Sequence, residues 1–164
     1  MNFLNSQFHI RLGCNSTQVS HGISFFNNTL LNIFFFKDPN TEKWYLNYGD
    51  EVVGYWPYEI LYYLKSRAII AQWGGDVYSK NTKGVEPHTT TAMGSGDFAS
   101  GLWGSACFIQ NIYVLDTSFK LFYPEWVYVN SEEPMCYSVR NFKATGVSMP
   151  TFYFGGPGRN QNCP

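Results

Sequence analysis

Leu30-Leu31-Asn32-Ile33-Phe34-Phe35-Phe36 is a run of branched and aromatic side chains. Lys37-Asp38-Pro39-Asn40-Thr41-Glu42-Lys43 then supplies turn chemistry, and Trp44-Tyr45-Leu46-Asn47-Tyr48 resumes the strand-like pattern. Two such runs joined by a short polar loop predict a β-hairpin. Further along, 68–73, 76–79, 105–115, 126–129, 136–141 and 151–154 are short apolar or alternating runs bounded by Gly, Pro, Asn or Ser. Strands at regular turn intervals have this signature. One segment has helical spacing: Pro57 suits a first helical position, and Ile60, Leu61, Leu64 and Ala68 recur at three- and four-residue intervals, predicting a short helix over 57–66. The expected class is all-β, an antiparallel β-sandwich of two packed sheets with that one helix.

The chain has 164 residues, the length of one ordinary domain, and no internal repeat or low-complexity linker marks a boundary. With 11 Lys and Arg against 12 Asp and Glu, a net charge of -1 and no charge block, binding driven by phosphate neutralisation is excluded as the expected function, so no nucleic-acid partner is expected. An aromatic content of 19% excludes a disordered chain. The longest strongly apolar stretch, 29–36, is broken by Asn32 and is much shorter than the ~20 residues of a membrane helix, so no membrane association is expected. Residues 1–9 lack the basic, apolar and small-residue segments of a signal peptide.

The four cysteines, Cys14, Cys107, Cys136 and Cys163, are too dispersed for a zinc-binding Cys-x-x-Cys pair, so no metal is expected. They allow three disulfide pairings, or buried thiols in a reducing compartment. Asn15-Ser16-Thr17 and Asn27-Asn28-Thr29 are glycosylation sequons, which lean toward secretion.

Familiar catalytic signatures fail on inspection. Met93-Gly94-Ser95-Gly96 lacks the first glycine of a nucleophile elbow and reads as a turn. His9, His21 and His88 have no metal-ligand spacing, and His88 reads as a loop residue. Gly155-Gly156-Pro157-Gly158 has no following Lys-Ser/Thr and reads as a turn carrying Cys163 back to the body of the domain. Glu51, Glu59, Glu86, Asp97, Glu125, Glu132 and Glu133 sit in polar contexts and read as solvated. Asp76 follows Gln72-Trp73-Gly74-Gly75 and precedes an apolar run. An acid there is either a plain strand-end aspartate or a partly desolvated group suited to proton transfer.

Several strings occur in one order: Trp44-Tyr45-Leu46, Val53-Gly54-Tyr55-Trp56-Pro57, Gln72-Trp73-Gly74-Gly75-Asp76-Val77, His88 through Gly96, Cys136-Tyr137, Phe154-Gly155-Gly156-Pro157-Gly158 and Cys163-Pro164. Together they resemble the C-terminal portion of the neprosin peptidase domain, a plant family, across residues 12–164, with 1–11 left unassigned. The resemblance implies a secreted β-sandwich glutamic peptidase that cleaves proteins or peptides after proline in acid and uses no cofactor. Such chemistry needs two neighbouring carboxyls, one protonated as acid and one activating water. In the family one glutamate lies in an upstream strand and the second follows the Trp-Gly-Gly string, where this chain has Asp76. Tyr55, Trp56, Gln72 and Trp73 are then candidates for cleft lining, with core packing as the alternative.

Two departures bear on activity. Residues 1–13 contain no Asp or Glu, so the upstream acid has no counterpart, as in a domain truncated at its N-terminus. Aspartate is also one methylene shorter than glutamate, and a misplacement near ~1 Å can cost about 100-fold in rate. The expectation is an inactive or strongly impaired peptidase; the alternative is a non-catalytic β-sandwich that binds a peptide or another partner. The resemblance also implies a Cys136–Cys163 disulfide, an unpaired Cys14 and an extracellular or secretory location, while Cys107 reads as a buried thiol.

Overall fold

The structure, a computed structural model, describes residues 8–13, 19–20, 23–24, 31–65, 68, 70–115, 120–124, 127–146 and 150–164. The strands are β1 (Phe8–Gly13), β2 (Val19–Ser20), β3 (Ile23–Ser24), β4 (Leu31–Lys37), β5 (Trp44–Tyr48), β6 (Glu51–Trp56), β7 (Cys107–Leu115), β8 (Leu121–Phe122), β9 (Ser138–Phe142) and β10 (Thr151–Gly155). They form an eight-stranded sheet and the two-stranded β2–β3 ribbon, an antiparallel all-β fold as the sequence predicts. The chain divides into two compact units. Unit 1 comprises Met1–Arg11, Leu31–Gln72 and Asn111–Val127, and unit 2 comprises Leu12–Leu30, Trp73–Gln110 and Tyr128–Pro164.

In unit 1 the predicted hairpin forms almost as read, with β4 pairing β5 from Lys37↔Trp44 to Ile33↔Tyr48. Asp38 builds the turn: its carboxylate accepts from the Asn40 N–H at 2.9 Å and the Thr41 hydroxyl at 2.7 Å, as short acidic side chains do in turns. The Thr41 bond, followed by that from Asn40, holds the Asp38 carboxyl below its ordinary range. A second hairpin joins β5 to β6 through Gly49 and Asp50, with Gly49 at φ 56, and the register shifts between Leu46 and Asn47. Trp44 is fully buried; Phe35 stacks on it at 5.0 Å, Trp56 meets Phe35 edge-on at 5.4 Å, and the Trp44 indole donates to the Leu64 carbonyl at 2.9 Å. Among the described residues of 57–66 the predicted helix is absent, and two 3-10 turns, Tyr58–Ile60 and Tyr62–Leu64, stand in its place. Leu61 between them has φ -112 and ψ 55, which breaks any helical run, and Ile60 is exposed instead of packed. The tyrosine-rich segment has only a weak helical propensity to set against this break.

In unit 2, β10 pairs β7 on one side (Phe152↔Ile109, Phe154↔Cys107) and β9 on the other (Thr151↔Phe142 to Gly155↔Ser138). Ala99, Ala106, Phe108 and Tyr153 form its core, with Leu102 and Phe142 packed against them. A second cluster joins Cys136, Tyr137 and Cys163 with Val77 and Met93. Strand β7 contributes Cys107–Gln110 to this unit and its remaining residues to unit 1; Asn111, at the change, has φ 55, a left-handed conformation that asparagine tolerates. Residues 70–73, 76–79 and 127–129 are not strands. Several of the apolar side chains that suggest strands there are exposed, among them Ile70, Tyr78 and Tyr128.

Candidate functional site

The approach to Asp76 is built from two glycines. A Cβ on Gly75 would lie 2.7 Å from Met93 Cγ and Sδ and from Phe154 Cδ2, so the chain crosses Met93 and β10 where no other side chain fits unshifted. Asp76 emerges from this crossing exposed, which goes against the partly desolvated alternative. Val77 turns back into the Cys136–Tyr137–Cys163 cluster and anchors the other side.

Charged groups of the same unit follow. Lys83 Nζ lies 3.0 Å from Glu132 Oε2. The Glu132 bond and charge raise the lysine above its ordinary value, burial opposes slightly, and the charges of Asp76 and Glu133 add to the rise. Glu133 Oε1 accepts the backbone N–H of Lys83 at 2.6 Å and of Gly84 at 3.3 Å. The same oxygen is 3.2 Å from His88 Nε2, close enough for an ion pair though too oblique for a well-directed hydrogen bond. Burial pushes the Glu133 carboxyl up, yet contact with His88 and the Gly84 and Lys83 N–H groups outweighs it and leaves the carboxyl below its ordinary value.

His88 lies in a loop, as read, yet is only 5% exposed, and Glu133 is only partly exposed, which corrects its reading as solvated. No local signal exposes this pair: its members are 45 positions apart and meet only through the tertiary fold. The His88 ring is 5.6 Å from that of Tyr137, whose hydroxyl donates to the Thr91 carbonyl at 2.9 Å. Burial, then the Glu133 charge, raises the Tyr137 hydroxyl above its ordinary value.

The glycine-rich C-terminal string closes the unit. Met93 and Gly156 exchange backbone hydrogen bonds at 2.9 and 3.3 Å. A Cβ on Gly156 would collide with the Cys136 carbonyl oxygen, one on Gly155 with that of Asp97, and one on Gly158 would sit 2.6 Å from that of Thr89. The chain therefore passes backbone against backbone and delivers Cys163 to Cys136, the disulfide that the resemblance implies, with Cα atoms 5.4 Å apart. His88 and these two sulfurs offer ligand atoms within 4.8 Å of one another, but the sulfurs are bonded together and present no thiolate to a metal.

Ser95 sits in the expected turn between Gly94 (φ 63) and Gly96 (φ 86). Its N–H points to Cys107 Sγ at 3.1 Å, and Cys107 is disulfide-bonded, which corrects its reading as a free thiol. Cys14, Asn15 and Asn27, the sites of an expected unpaired cysteine and of the sequons, lie outside the described residues.

Of the candidate cleft residues, Trp73 belongs with Asp76 to unit 2 and is half-buried, whereas Tyr55, Trp56 and Gln72 belong to unit 1. Tyr55 is 54% exposed with its ring 5.8 Å from that of Tyr45 and the Lys43 ammonium 4.2 Å above it, and Trp56 is 38% exposed. Gln72 is exposed.

The glycines of the Trp-Gly-Gly and Gly-Gly-Pro-Gly strings thus meet at Met93 and β10, and the Cys-Tyr string is tied to the C-terminal cysteine. A family model described as Neprosin matches residues 3–157, beginning within the first eleven residues that the sequence reading left unassigned. With nearly the whole chain matched, this protein belongs to the neprosin family.

Proposed function

We propose that this chain is a neprosin-type β-domain, related to secreted acid endopeptidases that cleave after proline, in which peptide cleavage is lost or strongly impaired. The observation that carries the reading is Asp76. It occupies the position of the family's second glutamate, with a shorter arm, and it is exposed. Residues 1–13 hold no carboxylate. A two-carboxyl mechanism needs a second acid close enough to share a proton, and an aspartate arm one methylene shorter than glutamate holds its carboxyl back from such a partner.

Binding without cleavage is the second reading, supported by the exposed Tyr55 and Trp56 at the end of β6, aromatic faces of a kind that stack on proline rings. The Cys136–Cys163 disulfide is consistent with an oxidising, secretory location, and among the described residues no helix is long and apolar enough to cross a membrane. The test is incubation of the folded chain with a proline-containing peptide at about pH 3 to 5, read by mass spectrometry beside Asp76→Ala. Equal, background-level products are expected, and cleavage that disappears in Asp76→Ala overturns the reading.

A further inference from the structure

The eight-stranded sheet ends in unit 1 on an uncovered strand. Strand β6 stands last in the sheet and pairs only with β5. Among the described residues no hydrogen bond beyond that ladder involves the backbone of residues 51–56, so the N–H and C=O groups along its outer side are open to another strand. Every residue of β6 except Gly54 is exposed, and most are apolar: Val52 is 60% and Val53 62% exposed, beside the exposed Tyr55 and Trp56. Sheet edges are commonly guarded by lysine, proline or irregular pairing. Within β6 there is no lysine and no proline, and the guard present is the register shift that leaves Val53 without a partner on β5.

We propose that two copies of this chain pair antiparallel through β6, each strand completing the other's open edge about a two-fold axis. Charge selects this occupant and this direction. The one charged side chain of β6 is Glu51, its first residue. Antiparallel pairing sets each Glu51 against the Trp56 end of the other copy and about 17 Å from the other Glu51, beyond the ~8 Å over which exposed charges act at physiological salt. A parallel pairing in register would place the two carboxylates side by side. Lys43, whose ammonium lies 4.2 Å over the Tyr55 ring, brings a cation to the end of the edge that the acid approaches. With a net charge of -1, the copies have little long-range repulsion to overcome.

In this direction Val52 and Val53 of one copy face Tyr55 and Trp56 of the other, an aromatic and β-branched combination favoured across strands. The exposed apolar side chains of the two edges present on the order of 800 Å², the size of a weak, transient interface and less than a permanent one needs. The dimer therefore forms at high concentration and dissociates on dilution. Asp76, in unit 2, takes no part in it. The pairing uses the aromatic faces that would also stack on a peptide, and the test separates the two occupants.

Sedimentation velocity of the full chain near pH 7, from about 10 µM to about 1 mM, tests the pairing, with amide hydrogen exchange of residues 51–56 read at both ends of that range. The wild type is expected to shift from monomer to dimer, and exchange at 51–56 to slow several-fold at the high concentration. Val53→Lys puts two ammonium groups near the two-fold axis and should weaken the dimer by about tenfold or more. Tyr78→Lys, at an exposed side chain of unit 2, should leave it unchanged. A chain that is monomeric throughout, a dimer that Val53→Lys leaves intact, or one that Tyr78→Lys weakens equally overturns the proposal. Slowing at 51–56 that requires an added proline-containing peptide at both concentrations gives the edge to a peptide and also overturns it. Should Val53→Lys fail to fold, exchange in the wild type decides: concentration-dependent slowing at 51–56 supports the pairing, and its absence overturns it.

Discussion

Replacing Gly156 by alanine tests whether the glycine-rich C-terminal string is a packing device. The added Cβ would fall on the Cys136 carbonyl oxygen, with Tyr137 Cα at 2.8 Å. Both are backbone atoms, fixed by the disulfide at Cys136 and by the Cys136 and Tyr137 N–H bonds to the Glu133 carbonyl. No side chain can rotate away, so either the loop before β9 or the segment after β10 must move. Overpacking of this kind costs about 1–3 kcal/mol, and sometimes more. Moving the segment also breaks the two Met93–Gly156 backbone bonds, at about 1 kcal/mol each. The expected loss is about 3–5 kcal/mol, a large part of the ~5–15 kcal/mol that holds a typical domain. Gly54 in β6 is the control, since a Cβ there meets nothing within 4 Å and its alanine variant should stay within about 1 kcal/mol of wild type. Equilibrium urea unfolding at one pH, with the disulfide intact, measures both. If Gly156→Ala unfolds within about 1 kcal/mol of Gly54→Ala, the backbone crossing is wrong.

Further outcomes follow from the same contacts. Removing the Cys136–Cys163 bridge, which links positions 27 apart, in a Cys136→Ala/Cys163→Ala variant should lower stability by about 3–4 kcal/mol, read as a lower urea midpoint. Trp44→Phe in unit 1 should cost about 2–3 kcal/mol, the sum of the lost bond to the Leu64 carbonyl and the cavity left by the smaller ring, measured in the same assay. The depressed Glu133 carboxyl sets an acid limit. Its contribution is complete above the ordinary glutamate value and fades as the pH falls through its lower value in the fold, so the wild type should lose stability there relative to Glu133→Gln.

The parts of the fold legible in the sequence are those governed by local pattern. The hairpin of β4 and β5 follows from alternating aromatic runs around an Asp-Pro-Asn turn, and β7, β9 and β10 begin and end within two residues of their predicted limits. The helix over 57–66 fails where Leu61 leaves the helical region, in a tyrosine-rich segment of weak helical propensity. The runs at 70–73 and 76–79 form no ladder, and between them Gly75 crosses close over Met93 and Phe154. For the candidate site, the Cys136–Cys163 disulfide was legible only through the family resemblance, since the residues alone leave three pairings open. The His88–Glu133 pair is invisible in sequence, since its chemistry arises only when a loop and a strand-preceding segment fold together.

The central claim is that peptide cleavage after proline is lost or strongly impaired in this chain, which carries Asp76 after its Trp-Gly-Gly string. The most direct measurement is the initial rate of cleavage of a proline-containing peptide by the full chain at about pH 4, divided by the rate for Asp76→Ala at equal concentration and matched foldedness. The account predicts a ratio of one, with both rates at the level of peptide alone. A ratio of about ten or more, carried by cuts on the carboxyl side of proline, would contradict it and return the chain to the active enzymes of its family.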